Sequence, residues 1–166
     1  MACKVLAIVQ ARVSSTRLPG KVLKKVNGKP LIEILFHRLS KSKKIDKIIL
    51  ATSENSENDS LTNLIEKRGY DVFRGSENDV LGRCFEAANK YQPKSVVRIT
   101  GDCPIIDSAI IDEVISFYEK ENVDYASNIN PPTYPDGLDV EVFSFYSLEE
   151  ANKKAKTSHE REHVTP

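Results

Sequence analysis

Three observations predict an α/β fold, a three-layer α/β/α sandwich with a mainly parallel central sheet. Short apolar runs are bounded by polar residues, apolar residues recur at helical spacing between those runs, and the two patterns alternate four times. The first run, Val5 to Val9, is unbroken and too short for a soluble helix, so it reads as a strand buried on both faces. It delivers the Gln10–Lys21 loop to the carboxyl edge of the sheet, where open α/β sheets bind ligands. Gly28-Lys29-Pro30 marks a turn, and Pro30 suits the first turn of a helix, where its missing N–H costs nothing. Leu31, Ile32, Leu35, Phe36 and Leu39 then follow helical spacing. Ile45 to Ala51 reads as the second strand, followed by a polar loop over 52–58 and a helix on Leu61, Leu64 and Ile65 that Gly69 can stop. Tyr70 to Phe73 is a short third strand, and Asp79 opens a helix whose apolar side is Val80, Leu81, Cys84, Phe85 and Ala88. Ser95 to Thr100 is the fourth strand, ending at Gly101-Asp102-Cys103-Pro104. A helix on Ile110, Ile111, Val114, Ile115 and Tyr118 comes next, then strands near Asp124–Ser127 and Val140–Phe145 around the loop 131–137.

No repeat, low-complexity tract or linker interrupts the 166 residues, so 1–166 reads as a single domain. The 24 basic and 24 acidic side chains cancel, which argues against nucleic acid and anionic membrane as partners and leaves phosphate recognition to local clusters. Lys4 interrupts the start, the run after it is short, and nothing approaches a membrane span, so the expected location is cytoplasmic. Cys3, Cys84 and Cys103 lack CxxC pairing and read as reduced thiols.

The chemistry-bearing residues sit at strand ends. Arg12, Arg17 and Lys21, beside Ser14, Ser15, Thr16 and Gly20, suit a polyphosphate better than an apolar ligand, because cations and small donors match its oxygens. The loop is not a Walker A sequence, and no GxGxxG occurs. Asp102, next to Gly101 just past a buried strand, suits Mg²⁺, which takes one or two carboxylates and completes its shell from phosphates and water. Asp136, Asp139 and Glu141 gather at the mouth of the last strand. If that strand begins near Leu138, Asp139 and Glu141 share a face, where they bind sugar hydroxyls, assist a metal or serve as solvated turn acids. Arg74, Asp79, Arg83 and Arg98 read either as helix-face ion pairs or as part of the site. His159-Glu160-Arg161-Glu162-His163 satisfies H-E-x-x-H, but Pro166 follows closely and no third ligand is in view, so zinc hydrolysis is a weak reading.

Residues 8–21 (Ile8-Val9-Gln10-Ala11-Arg12-Val13-Ser14-Ser15-Thr16-Arg17-Leu18-Pro19-Gly20-Lys21) and 98–104 (Arg98-Ile99-Thr100-Gly101-Asp102-Cys103-Pro104) resemble the cytidylyltransferases that activate acidic sugars such as sialic acids and Kdo. The blocks 136–143 and 161–166 are similar to the branch named after spore-coat polysaccharide biosynthesis protein F. The resemblance implies a nucleotide-diphosphosugar-transferase (GT-A-like) fold. It also implies a Mg²⁺-dependent reaction in which a sugar and CTP, or another NTP, give a nucleotide-sugar and pyrophosphate for surface polysaccharide synthesis. It assigns Arg12, Ser14, Ser15, Arg17 and Lys21 to the triphosphate, with Ala11 near the base through its backbone. Arg12, Lys21 and Asp102 become the catalytic residues, Asp102 and Asp139 the metal ligands, and Asp136, Asp139 and Glu141 the sugar side. The expected partners are the nucleotide, the sugar and, as an option, a second copy in a homodimer.

Two departures qualify the resemblance. Sialic-acid activators carry Gly-Ser where this sequence has Val13-Ser14, and Asn where it has Val22, so the sugar and the base stay open. The family pattern also continues beyond Arg161-Glu162-His163-Val164 to an acidic motif supplying a second metal ligand. The expectation is therefore a nucleotidyltransferase domain lacking the family's C-terminal part, one in which Asp139 substitutes, or a nucleotide-binding module without turnover. A glycosyltransferase of the same fold is a further alternative, but the Asp-x-Asp metal motif it would carry is not what Gly101-Asp102-Cys103 provides.

Overall fold

The computed structural model describes residues 3–15 and 18–166. In chain order, β1 (Val5–Gln10) leads through a loop to a two-stranded ribbon of β2 (Lys25–Val26) and β3 (Lys29–Pro30), then to α1 (Leu31–Leu39). There follow β4 (Lys47–Ser53), α2 (Asp59–Lys67), β5 (Asp71–Gly75), α3 (Val80–Asn89), β6 (Ser95–Thr100) and α4 (Ser108–Glu121). The remainder is β7 (Tyr125–Ser127), β8 (Glu141–Ser144), α5 (Phe145–Lys154) and α6 (Ser158–His163).

The six-stranded sheet has the order β5-β4-β1-β6-β8-β7. β5, β4, β1 and β6 run parallel, and β8 is antiparallel to both of its neighbours. The apolar run of β1 is buried on both faces, as its composition predicts, and its alternation divides the core. Val5, Ala7 and Val9 pack with residues of α1, α2 and α4, whereas Leu6 and Ile8 pack with residues of α3 and Leu148 of α5. From β1 the chain winds outward through β4 to β5, then returns across β1 to β6. The loops leaving β1 and β6 therefore diverge and open a crevice at the carboxyl edge, the topological switch point of such sheets.

Two parts depart from the sequence reading. β8 begins at Glu141, so Asp139 precedes it, and the strand face that Asp139 and Glu141 were expected to share does not form. The strand also stops at Ser144, whose hydroxyl accepts from the Ser147 N–H at 2.9 Å and caps α5, so Phe145 is helical. α6 starts with a capping box, in which Thr157 and Glu160 satisfy each other's backbone N–H groups. No helix among the described residues is long and apolar enough to cross a membrane.

Candidate active site

The crevice between β1 and β6 holds a polar cleft of about 680 Å³. Its floor is the backbone contact between the two strand ends, where the Gly101 N–H donates to the Gln10 carbonyl at 2.8 Å. Gly101 is required there, since an added Cβ would lie 2.5 Å from the Ala11 Cβ and 3.1 Å from the Gln10 oxygen. Ala11, buried at the cleft edge, presents backbone rather than a bulky side chain.

Lys21 and Asp102, 81 residues apart, meet across the crevice with Nζ 2.6 Å from Oδ2. Burial pushes the Asp102 carboxyl up, but hydrogen bonds from Lys21 and Thr100 and the Lys21 charge outweigh it, so the group sits below its ordinary value. Arg12 and Ser14 turn to Glu77 on the loop after β5. Arg12 Nη1 lies 2.6 Å, and Ser14 Oγ 3.0 Å, from Glu77 Oε1. The Val13 N–H donates to Asn58 Oδ1 at 2.8 Å and the Gly20 N–H to the Val13 carbonyl at 3.0 Å, which fixes both ends of the loop. Ser15 lines the same cleft. Thr16 and Arg17, the latter expected on the triphosphate, lie outside the described residues.

The acidic loop is held by Asn128, a buried amide whose Nδ2 donates to the Leu138 carbonyl and whose Oδ1 accepts the Val140 N–H, both at 2.8 Å. Asp139 is thereby set between two fixed neighbours. Its carboxyl is pushed up by burial and by the neighbouring Asp136, Glu141 and Asp102 charges. Among the described residues no three His, Cys, Asp or Glu side chains form a ligand group. The donor chemistry nevertheless fits a hard divalent cation. The Asp102 charge is among the causes that raise the Asp139 carboxyl, a repulsion that such an ion would relieve while substrate oxygens and water complete its shell.

Glu141, expected on the sugar side, is engaged within the fold. It is buried beside Arg98 and forms an ion pair with it, while also accepting hydrogen bonds from Tyr125 and Thr165. A second cavity of about 630 Å³, beside Phe143 and Leu148, has Glu141 in its wall and none of the other expected site residues. Arg98 also donates to the Gln10 side chain at 3.0 and 3.2 Å, tying the pair to the end of β1. Arg74 binds Asp59 and the carbonyls of Ser53, Glu54 and Asn55, and Asp79 binds Arg161, so both serve structure. The His159 and His163 rings lie 4.4 Å apart at a tilt of 48°, and of the two only His163 lines the cleft. Sequence reasoning missed Glu77, because its partnership with Arg12 spans 65 residues and leaves no mark in local spacing.

A family model described as cytidylyltransferase matches residues 6–166. An uncharacterized protein of Methanocaldococcus jannaschii is 45% identical over 163 residues, covering 98% of this chain and 66% of that protein. The spore coat polysaccharide biosynthesis protein SpsF of Bacillus subtilis is 36% identical, covering 97% of this chain and 68% of that one. The solved structure of a cytidylyltransferase from Leptospira borgpetersenii superposes with a TM-score of 0.93 at 35% identity, over 99% of this chain and 70% of that one. The chain thus spans about two thirds of the length of these relatives.

Proposed function

The chain belongs to the cytidylyltransferase family, and from that premise we propose that it is a Mg²⁺-dependent sugar nucleotidyltransferase of GT-A-like fold. It joins the cytidylyl group of CTP to an acidic or related sugar, with release of pyrophosphate, for surface polysaccharide biosynthesis. The observation that carries this reading is the pairing of Lys21 with Asp102 across the β1–β6 crevice, a cation for phosphate and a carboxylate for a metal in one contact. In the reaction a sugar oxygen attacks the α-phosphorus, the bond to the β-phosphate oxygen breaks, and the proton of the attacking hydroxyl is lost to solvent or buffer. Arg12, Ser14, Ser15 and Lys21 hold the phosphate tail and offset the charge that develops on the leaving pyrophosphate, so positioning and electrostatics supply the acceleration. The Ala11 backbone borders the base, and Asp136 and Asp139 face the sugar. Asp102 and Asp139 would hold Mg²⁺, which when bound neutralises phosphate charge.

The test is pyrophosphate release from the purified protein with each NTP, Mg²⁺ and a panel of eight- and nine-carbon acidic sugars. Turnover is expected with CTP and at least one sugar, and Asp102→Ala should abolish it while leaving thermal stabilisation by CTP largely in place. Silence across the panel, with CTP stabilisation unaffected by Asp102→Ala, would replace the enzyme with a nucleotide-binding module.

A further inference from the structure

Glu77 occupies donors that the phosphate tail needs, the Arg12 guanidinium and the Ser14 hydroxyl. One oxygen accepts from Arg12 Nη1 at 2.6 Å and from Ser14 Oγ at 3.0 Å, and the other accepts from Asn55 Nδ2 at 3.2 Å. A guanidinium, a hydroxyl and an amide converging on two oxygens is how proteins hold a phosphate oxygen pair. The segment carrying Glu77 is fixed from below. Arg83, 2% exposed, donates from its guanidinium to the carbonyls of Ser76 and Glu77, which anchors the backbone, while the Glu77 side chain is 21% exposed. Burial raises the Glu77 carboxyl, but bonds from Ser53, Arg12 and Ser14 outweigh this and keep it ionised.

The Lys21–Asp102 pair is different, because Asp102 has a second role as the expected metal ligand. Glu77 has none once its partners turn to phosphate. We infer that Glu77 is a tethered competitor of the nucleotide, holding Arg12 and Ser14 until a phosphate tail displaces it and reclaiming them as pyrophosphate departs. This rests on the proposed phosphate role of Arg12 and Ser14. It makes Glu77 a residue that sets nucleotide affinity and product release, not a catalytic one.

Calorimetric titration of wild type and Glu77→Gln with CTP and with inorganic tripolyphosphate, in Mg²⁺ buffer, tests it. Removing the competing charge should tighten both ligands by about tenfold, the scale of one charge-assisted hydrogen bond. Glu77→Ala, which introduces no amide, should move both in the same direction, and melting of the ligand-free variants checks their fold. Equal or weaker binding in the variants overturns the inference and makes Glu77 a positioning residue for Arg12. Failure of every protein to bind either probe also overturns it. Tighter tripolyphosphate binding without CTP binding in any protein upholds the competitor and overturns the cytidylyl reading instead.

Discussion

At position 101 the two strand ends come so close that Ala11 leaves no room for a side chain, and the residue after Gly101 is the carboxylate that meets Lys21. Gly101→Ala should therefore act twice. Overpacking against Ala11 and the Gln10 carbonyl should destabilise the protein by about 1–3 kcal/mol, read as a lower urea midpoint. The shift it forces on Asp102 should reduce pyrophosphate release by more than the lost folded fraction explains. A variant with wild-type midpoint and turnover would show that the crevice floor yields without cost. This scale was partly legible beforehand. Arg12 and Asp102 stand just past buried strands and Lys21 closes the loop that β1 delivers, so the sheet edge they share follows from the strand assignment. Glu141 looked equivalent to Asp136 and Asp139 in the same acidic run, and its separation from them needed the cross-strand register that sets it opposite Arg98.

Among the elements, α6 is latched to the start of α3 by a bidentate contact. Asp79 caps α3 by accepting the Gly82 N–H at 2.9 Å, and also takes Arg161 Nε of α6 at 2.8 Å together with a second guanidinium nitrogen. Arg161 further donates to the Asn152 carbonyl of α5 at 2.8 Å, so three helices meet at one side chain. Burial raises the Asp79 carboxyl, but the Arg161 bonds, the Gly82 amide and the nearby positive charge outweigh it and bring the group below 3.8. Because the folded form is the more acidic, its stabilisation is complete above 3.8 and disappears as pH falls through the depressed folded value. Asp79→Asn should cost about 1 kcal/mol at neutral pH, a modest figure because the pair is partly exposed, and the variant and wild type should converge at strongly acidic pH. Urea midpoints at the two pH values measure both, and a gap that persists in acid would refute the linkage. α5 and α6 were hard to read because Val140 to Phe145 carries strand-like residues straight into a helix. Their signals were the cap residue Ser144 and the Thr157–Glu160 box, while the H-E-x-x-H pattern in α6 is built on residues that cap and latch the helix.

For the whole molecule, the alternation of strands and helices was enough to set the Gln10–Lys21 loop and the Gly101-Asp102 turn on one edge of the sheet, whereas the switch point between β1 and β6 needed the strand order. The reversal of β8 was not legible, because an antiparallel strand buried on both faces has the same apolar run as a parallel one. That reversal makes β6–β8 the seam of the sheet, and a buried ion pair closes it. Arg98 and Glu141 face each other in register, with side chains 11% and 6% exposed, and Arg98 continues to Gln10 beside the cleft. Removing one partner leaves an uncompensated charge in the seam, so Arg98→Met or Glu141→Met should each destabilise by about 3–5 kcal/mol, whereas the double variant should recover most of that loss. Stability and nucleotide binding should then separate. The double variant regains its urea midpoint but still lacks the link from Arg98 to Gln10, so CTP binding should stay weaker than in wild type. Full recovery of CTP affinity in the double variant would show that the seam supports the fold without ordering the site, and additive losses would deny that the two charges act as a pair.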